Sequence, residues 1–216
     1  LFRSPLMFYP EIDTWKISKG GFLGTVTGYD FEYMKGGHAS GGTLTMLWHK
    51  TAGPIIMASM TDYWLKEPHN MQLSLKKSQH QSLVPRLELT LETKKYASCY
   101  DYTPCITAEE TNGEIKIRSE MELKDMMHQP SDHHVFGCLE YTVTDHYVKI
   151  TGVTKALSNT VPAFILPVIG KHHMGISETK EGFMIPRESG VLQINISNKD
   201  NIEKPQPIFC LSGGFE

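Results

Sequence analysis

No stretch of this 216-residue sequence approaches the ~20 consecutive apolar residues that a membrane-spanning helix requires, so none is expected to cross a bilayer. Cysteine is scarce. Four are too few for a disulfide scaffold, and with no CxxC among them a zinc ribbon or a thioredoxin-type site is excluded. Cys99 and Cys105, on either side of Pro104, could pair across a turn. The alternative is free buried thiols, the reading that also suits Cys210 in an apolar run. A basic excess is also missing: 21 Lys and Arg stand against 24 Asp and Glu, a net charge of −3. Cationic residues adjoin only in short pairs such as Lys76–Lys77 and Lys94–Lys95, so nucleic acid is not an expected partner. The chain has no phosphate-loop ending, no GxSxG elbow and no HExxH helix. No window sustains the i, i+3, i+4, i+7 apolar pattern with caps that marks a helix.

What is present is alternation of period two. Ile115, Ile117, Met121 and Leu123 alternate with Lys116, Arg118, Glu120, Glu122 and Lys124. Leu87, Leu89 and Leu91 alternate with Glu88, Thr90 and Glu92, and Leu192, Ile194 and Ile196 with Gln193, Asn195 and Ser197. Successive side chains of a strand point to opposite faces, so each segment predicts a strand with one dry and one wet face. Leu139, Tyr141 and Val143 lead into a turn at Thr144–His146, with Val148 and Ile150 resuming beyond it. Thr43–Trp48 and Ile55–Met60, joined through Gly53–Pro54, are apolar on both faces and read as a hairpin of two central strands. The segment 161–170 is apolar too, but Pro162 and Pro167 demote it to an edge strand or irregular chain. The fold expected is all-β: a two-sheet antiparallel β-sandwich with little or no helix, residues 1–216 forming one domain.

The chain opens on Leu1 rather than Met and stops at Gly213-Gly214-Phe215-Glu216, directly after the apolar run Ile208–Leu211. Both ends read as boundaries within a longer protein, so the lack of a signal peptide carries no information about compartment.

The most specific local feature is Gly36-Gly37-His38-Ala39-Ser40-Gly41-Gly42, which leads straight into the Thr43 strand. Glycines let backbone turn sharply or approach a ligand, and an imidazole at a sheet rim can hold a metal or move a proton. The plainer reading is a loop whose histidine is merely exposed. The feature resembles the opening of the C-terminal β-sandwich of heparinase II/III-like polysaccharide lyases, which carry a Gly-Gly-His-Gly-His-x-Asp pattern there. Gly36, Gly37 and His38 match its first three positions, Ser40 stands where the second histidine would be, and Gly42 where the aspartate would be. The match covers Gly36 to Met60. The resemblance implies a super-sandwich-like domain packed against an N-terminal helical domain of the same parent chain, with one face lining a saccharide cleft. It also implies a possible structural divalent metal, with His38 the candidate ligand, and an acidic polysaccharide or oligosaccharide as partner. Residence would then be extracytoplasmic, periplasmic or secreted.

Lyase chemistry abstracts a proton alpha to a carboxylate, which calls for a Tyr, His or Lys base. Tyr33, His38 and His49 are the candidates of the right type. Tyr29, Phe31 and Tyr33 alternate along one face just before the glycine loop; exposed they could stack on sugar rings, buried they are ordinary core. Tyr33, His38, Asp62, Trp64 and His69 are therefore the expected substrate contacts, the last three from the stretch after the hairpin. Trp48 carries the same ambiguity as the aromatic row. Neither His133–His134 nor His172–His173 can chelate one ion if extended, since neighbours point to opposite faces. The rival readings are a non-catalytic carbohydrate-binding module, which needs an exposed aromatic platform, and a purely structural or interaction sandwich.

Overall fold

The computed structural model describes residues 4–29, 39–58, 82–155, 162–170 and 175–197. Among them there is no α-helix; two short 3-10 turns, Pro10–Ile12 and Ser98–Tyr100, are the only helical elements. Among the described residues no helix is long and apolar enough to cross a membrane.

The strands form antiparallel sheets. A five-stranded meander runs β1 (Leu6–Tyr9), β2 (Thr14–Lys19), β3 (Phe22–Thr27), β4 (Thr43–His49) and β5 (Gly53–Met57), neighbours in sequence pairing in space. β6 (Arg86–Leu91) and β7 (Lys94–Ala97) pair as a hairpin. A four-stranded sheet of order β11-β10-β9-β8 follows, from β8 (Cys105–Thr111), β9 (Glu114–Glu122), β10 (Phe136–Val143) and β11 (Val148–Thr154). β12 (Ala163–Ile165) returns to the β6 edge, and β13 (Ser177–Glu178), β14 (Gly182–Arg187) and β15 (Gly190–Asn195) form a further sheet.

The alternation predicts the burial. In β9, Ile115, Ile117 and Met121 are buried, with Leu123 just beyond the strand, while Arg118 and Glu120 face water. Leu139, Tyr141 and Val143 of β10 join them, and Ile17, Val26, Leu44, Leu47 and Ile56 close on them from the five-stranded sheet. One apolar cluster thus fills the space between stacked sheets, the sandwich arrangement. Leu87 and Leu89 point into the same core. Their neighbour Glu88 is not simply solvated. Its carboxylate accepts from Arg86 Nε at 2.8 Å and pairs with Lys95 Nζ at 3.0 Å. Burial pushes the Glu88 pKa up, but Arg86 and Lys95 outweigh it and hold the carboxyl below its ordinary range.

Two expectations need correcting, and a third holds. Among the described residues β5 ends its sheet rather than lying centrally, and Met57 is half exposed; the Ile169 amide donates to the Ile55 carbonyl alongside it (2.9 Å). Cys99 and Cys105 are not bridged, and both are free. Cys99 is a buried thiol, its pKa pushed up to about 12 by burial, whereas Cys105 is exposed because its β8 position falls on the wet face opposite Glu120. The expectation for residues 161–170 holds: Ala163–Ile165 is an edge strand, followed by irregular chain through Pro167.

The sandwich has two ends. At one, the Gly20–Gly21 turn, the β4–β5 turn and the Asp145 turn come together: Lys50 N donates to Gly21 O at 2.9 Å, and Lys19 Nζ lies 4.0 Å from Asp145. The other end collects the base of the β3–β4 connection, the β7–β8 connection and the β9–β10 connection.

Candidate functional site

The base of the β3–β4 connection is locked into the core. Gly41 N donates to Gly28 O at 2.8 Å, which closes the loop on itself, and Ser40 N donates to Cys99 O at 3.3 Å. Tyr141, buried on β10, reaches across the sandwich. Its hydroxyl donates to Gly42 O at 2.9 Å and accepts from Leu44 N at 3.1 Å. Burial raises the phenol pKa beyond its ordinary range, so the group serves as a neutral clamp. Ser119 Oγ adds a bond to Gly41 O at 3.2 Å. Gly41 and Gly42 have φ of +72° and +71°, and a Cβ on them would fall on Ser98 O and on the Ser119 side chain respectively. Only glycine meets both demands. The second half of the glycine run is therefore structural.

That finding bears on the implied metal. The Gly42 position has no room for a carboxylate, and Ser40 is wholly buried with its amide committed to Cys99. Among the described residues no three His, Cys, Asp or Glu side chains converge as ligands. Ser40 and Gly42 do not fit the ligand positions implied by the resemblance, and His38 lies outside the described residues.

Beside this locked base lies a cluster of rings that sequence reasoning missed. Tyr29 meets Tyr102 edge-on with ring centroids 5.1 Å apart, and Tyr102 packs on His128 at 4.0 Å. Tyr100 meets the same imidazole edge-on at 6.4 Å. Three separate connections supply these rings, and each is braced. Asp101 sits between the two tyrosines with its carboxylate almost fully buried. It accepts from Thr103 N (3.0 Å), Thr103 Oγ1 (3.1 Å), Glu122 N (2.8 Å) and Lys124 Nζ (2.9 Å). Burial alone would raise the Asp101 pKa, but these donors and the Lys124 charge hold it below its ordinary value. Asp125 pins the third connection: its carboxylate accepts from Met127 N and Gln129 N, while His128 N donates to Asp125 O. His128 is thereby held at φ +60°, a conformation a non-glycine residue adopts at a cost. Its Nδ1 lies 3.0 Å from the Tyr100 carbonyl, which can only accept, so the ring carries its proton on Nδ1. Next to this, His134 Nδ1 pairs with Glu122 Oε1 at 2.7 Å.

Of the residues expected from sequence, Tyr33, His38, Asp62, Trp64 and His69 lie outside the described residues, as does Phe31. Tyr29, the first member of the aromatic row, is in the cluster. His49 is not. It lies at the opposite end of β4, about 20 Å from Thr43 at ~3.3 Å per residue. Its Nδ1 accepts from Thr51 N (3.3 Å) and Ala52 N (3.4 Å), which caps the hairpin turn. Trp48 is half buried on β4, paired between Leu23 and Pro54. The signal for the missed cluster was Tyr100-Asp101-Tyr102, two aromatics around a carboxylate ahead of Pro104. Its partners Tyr29 and His128 are far off in sequence, and only the fold brings them in.

Comparison with known proteins agrees with a lyase-associated sandwich. The family described as "Ulvan lyase C-terminal domain" matches residues 6–216. The "Broad-specificity ulvan lyase" of Formosa agariphila is 29% identical over 196 residues, covering 86% of this chain and 30% of the relative. The chain therefore spans under a third of that curated relative's length. No solved structure matches. The expectation of a polysaccharide lyase C-terminal domain thus stands in its coarser form, and the family found is not the heparinase II/III one. The chain belongs to the ulvan lyase C-terminal domain family.

Proposed function

We propose that this domain braces the catalytic part of a polysaccharide lyase and lines part of its saccharide cleft, at the end where the 29–40 connection emerges. The carrying observation is the clamp at that connection's base. Tyr141 and Ser119 hold Gly41 and Gly42 from across the sandwich, so the base of that connection is fixed relative to the core. Family membership makes an acidic polysaccharide the partner of choice, with ulvan, named for the relative, the first to test. Tyr33, His38, Asp62, Trp64 and His69 remain the proposed contacts from this chain. The lyase chemistry needs a base and a group that neutralises the sugar carboxylate. His49 sits at the end of β4 away from the base of the 29–40 connection, so in this reading the remainder of the parent chain supplies what this domain lacks. In this reading residues 1–216 act as one sandwich domain against an N-terminal helical domain, in the heparinase-like arrangement, and the protein works outside the cytoplasm on its polymeric substrate.

The test is to express the full-length protein and follow ultraviolet absorbance of unsaturated product from ulvan. Product release that falls when His38 is replaced by Ala supports the reading. A full-length protein that folds yet releases no product from any acidic polysaccharide refutes it.

A further inference from the structure

We infer that Tyr29, backed by Tyr102 and His128, forms a pyranose-stacking subsite for the polysaccharide. The inference rests on the lyase-domain reading and adds residues and a binding mode to it. Four observations carry it. The rings of Tyr29, Tyr102 and His128 belong to neither apolar cluster of the sandwich, whereas Tyr100 packs on the smaller one around Cys99, so filling of the core does not by itself account for the convergence of those three. They arrive from three connections, each held by its own polar brace at Gly28–Gly41, Asp101 and Asp125. His128 is kept in a left-handed conformation at the point where it supports Tyr102, and such costs concentrate at working sites. Tyr29 remains 36% exposed despite its contact with Tyr102.

The chemistry follows from the surroundings. Asp101 and Lys124 neutralise each other at 2.9 Å, as do Glu122 and His134 when the imidazole is charged. Asp125 spends its carboxylate on the backbone amides of Met127 and Gln129, so what the cluster itself offers a sugar is ring faces. A pyranose shows apolar C–H groups on one face, and the negative face of a phenol ring attracts them. Tyr102 and His128 fix the Tyr29 ring in place, so little side-chain freedom is lost on binding. The contact is one of shape and polarisability, so it persists at salt concentrations that screen attraction between a charged polysaccharide and the protein.

The experiment uses the full-length protein with ulvan as the probe, comparing wild type with Tyr29→Ala, Tyr29→Phe and Tyr102→Leu. Binding is measured by affinity electrophoresis and turnover by unsaturated product. Tyr29→Ala is expected to weaken binding about tenfold at both low and high salt, raising KM with kcat unchanged, as for an interaction equal in ground and transition states. Tyr29→Phe keeps the ring and should bind like wild type. Tyr102→Leu, which removes the support, should weaken binding by a smaller factor. Wild-type affinity in Tyr29→Ala overturns the subsite while leaving the lyase reading intact. A loss in Tyr29→Phe equal to that in Tyr29→Ala also overturns it, because the hydroxyl would then be the contact. A wild-type protein that neither binds nor cleaves ulvan or any other acidic polysaccharide overturns the lyase reading and the subsite with it.

Discussion

Replacing Tyr141 by Phe removes one oxygen from the middle of the sandwich, and the structure gives the cost. The hydroxyl is buried and makes two hydrogen bonds, one given to Gly42 O and one taken from Leu44 N. Phenylalanine fills the same space, so no cavity term arises and the loss is purely polar. Each orphaned backbone group costs about 1–3 kcal/mol once buried without a partner, so the pair amounts to about 3 kcal/mol. For a domain of this size each kcal/mol lowers Tm by about 2–4 °C, which gives a fall of roughly 6–12 °C. Urea denaturation of this chain and its variant, with m compared to confirm that only stability has changed, measures the difference. Because the bonds sit at the base of the 29–40 connection, amide exchange at Leu44 should quicken more than at Ile117. A variant within about 0.5 kcal/mol of wild type, or exchange that quickens evenly across the sandwich, refutes the clamp.

Other outcomes follow from the same geometry. Asp101 has a folded pKa below its ordinary value of 3.8, so its contribution to stability is complete above about pH 4 and is lost as pH falls through the folded value. Asp101→Asn should flatten that acid limb in pH-dependent melts; an unchanged limb contradicts the assignment. Glu88→Gln leaves the Arg86 guanidinium short of its counter-ion in a largely buried site and should cost about 3 kcal/mol by urea denaturation. Arg86→Met with Glu88→Leu should recover most of that loss. Thiol titration near neutral pH should label Cys105 in the native protein, while Cys99 reacts only on unfolding, because it is buried and its pKa is pushed up to about 12.

Strand faces were legible in the sequence because period-two patterning is local. The row Ile115, Ile117, Met121 and Leu123 needs no partner strand to declare its inside face. Leu87 and Leu89 are just as plain, but the half-buried state of Glu88 is not, since it depends on Arg86 and Lys95 reaching it. The place of β5 at the sheet margin was hidden too: Ile55 and Ile56 are buried, as a central strand's would be. In the glycine run, the sequence alone could not divide a pair that closes the loop, Gly41–Gly42, from residues that face a ligand. That division comes from Ser119 and Tyr141, some 80 to 100 residues away. Tyr102 and His128 were passed over for a similar reason. Each is an ordinary loop residue until the β7–β8 and β9–β10 connections meet beside Tyr29.

The central claim is that the polysaccharide meets the end of the sandwich where these three connections gather. Hydrogen exchange of the full-length protein with and without ulvan tests it directly. Protection is expected at amides of 39–44, 99–103 and 125–129, with none at the opposite end around 49–53 and 144–147. Protection confined to the 49–53 end, or none anywhere in 1–216 while ulvan is bound, contradicts it.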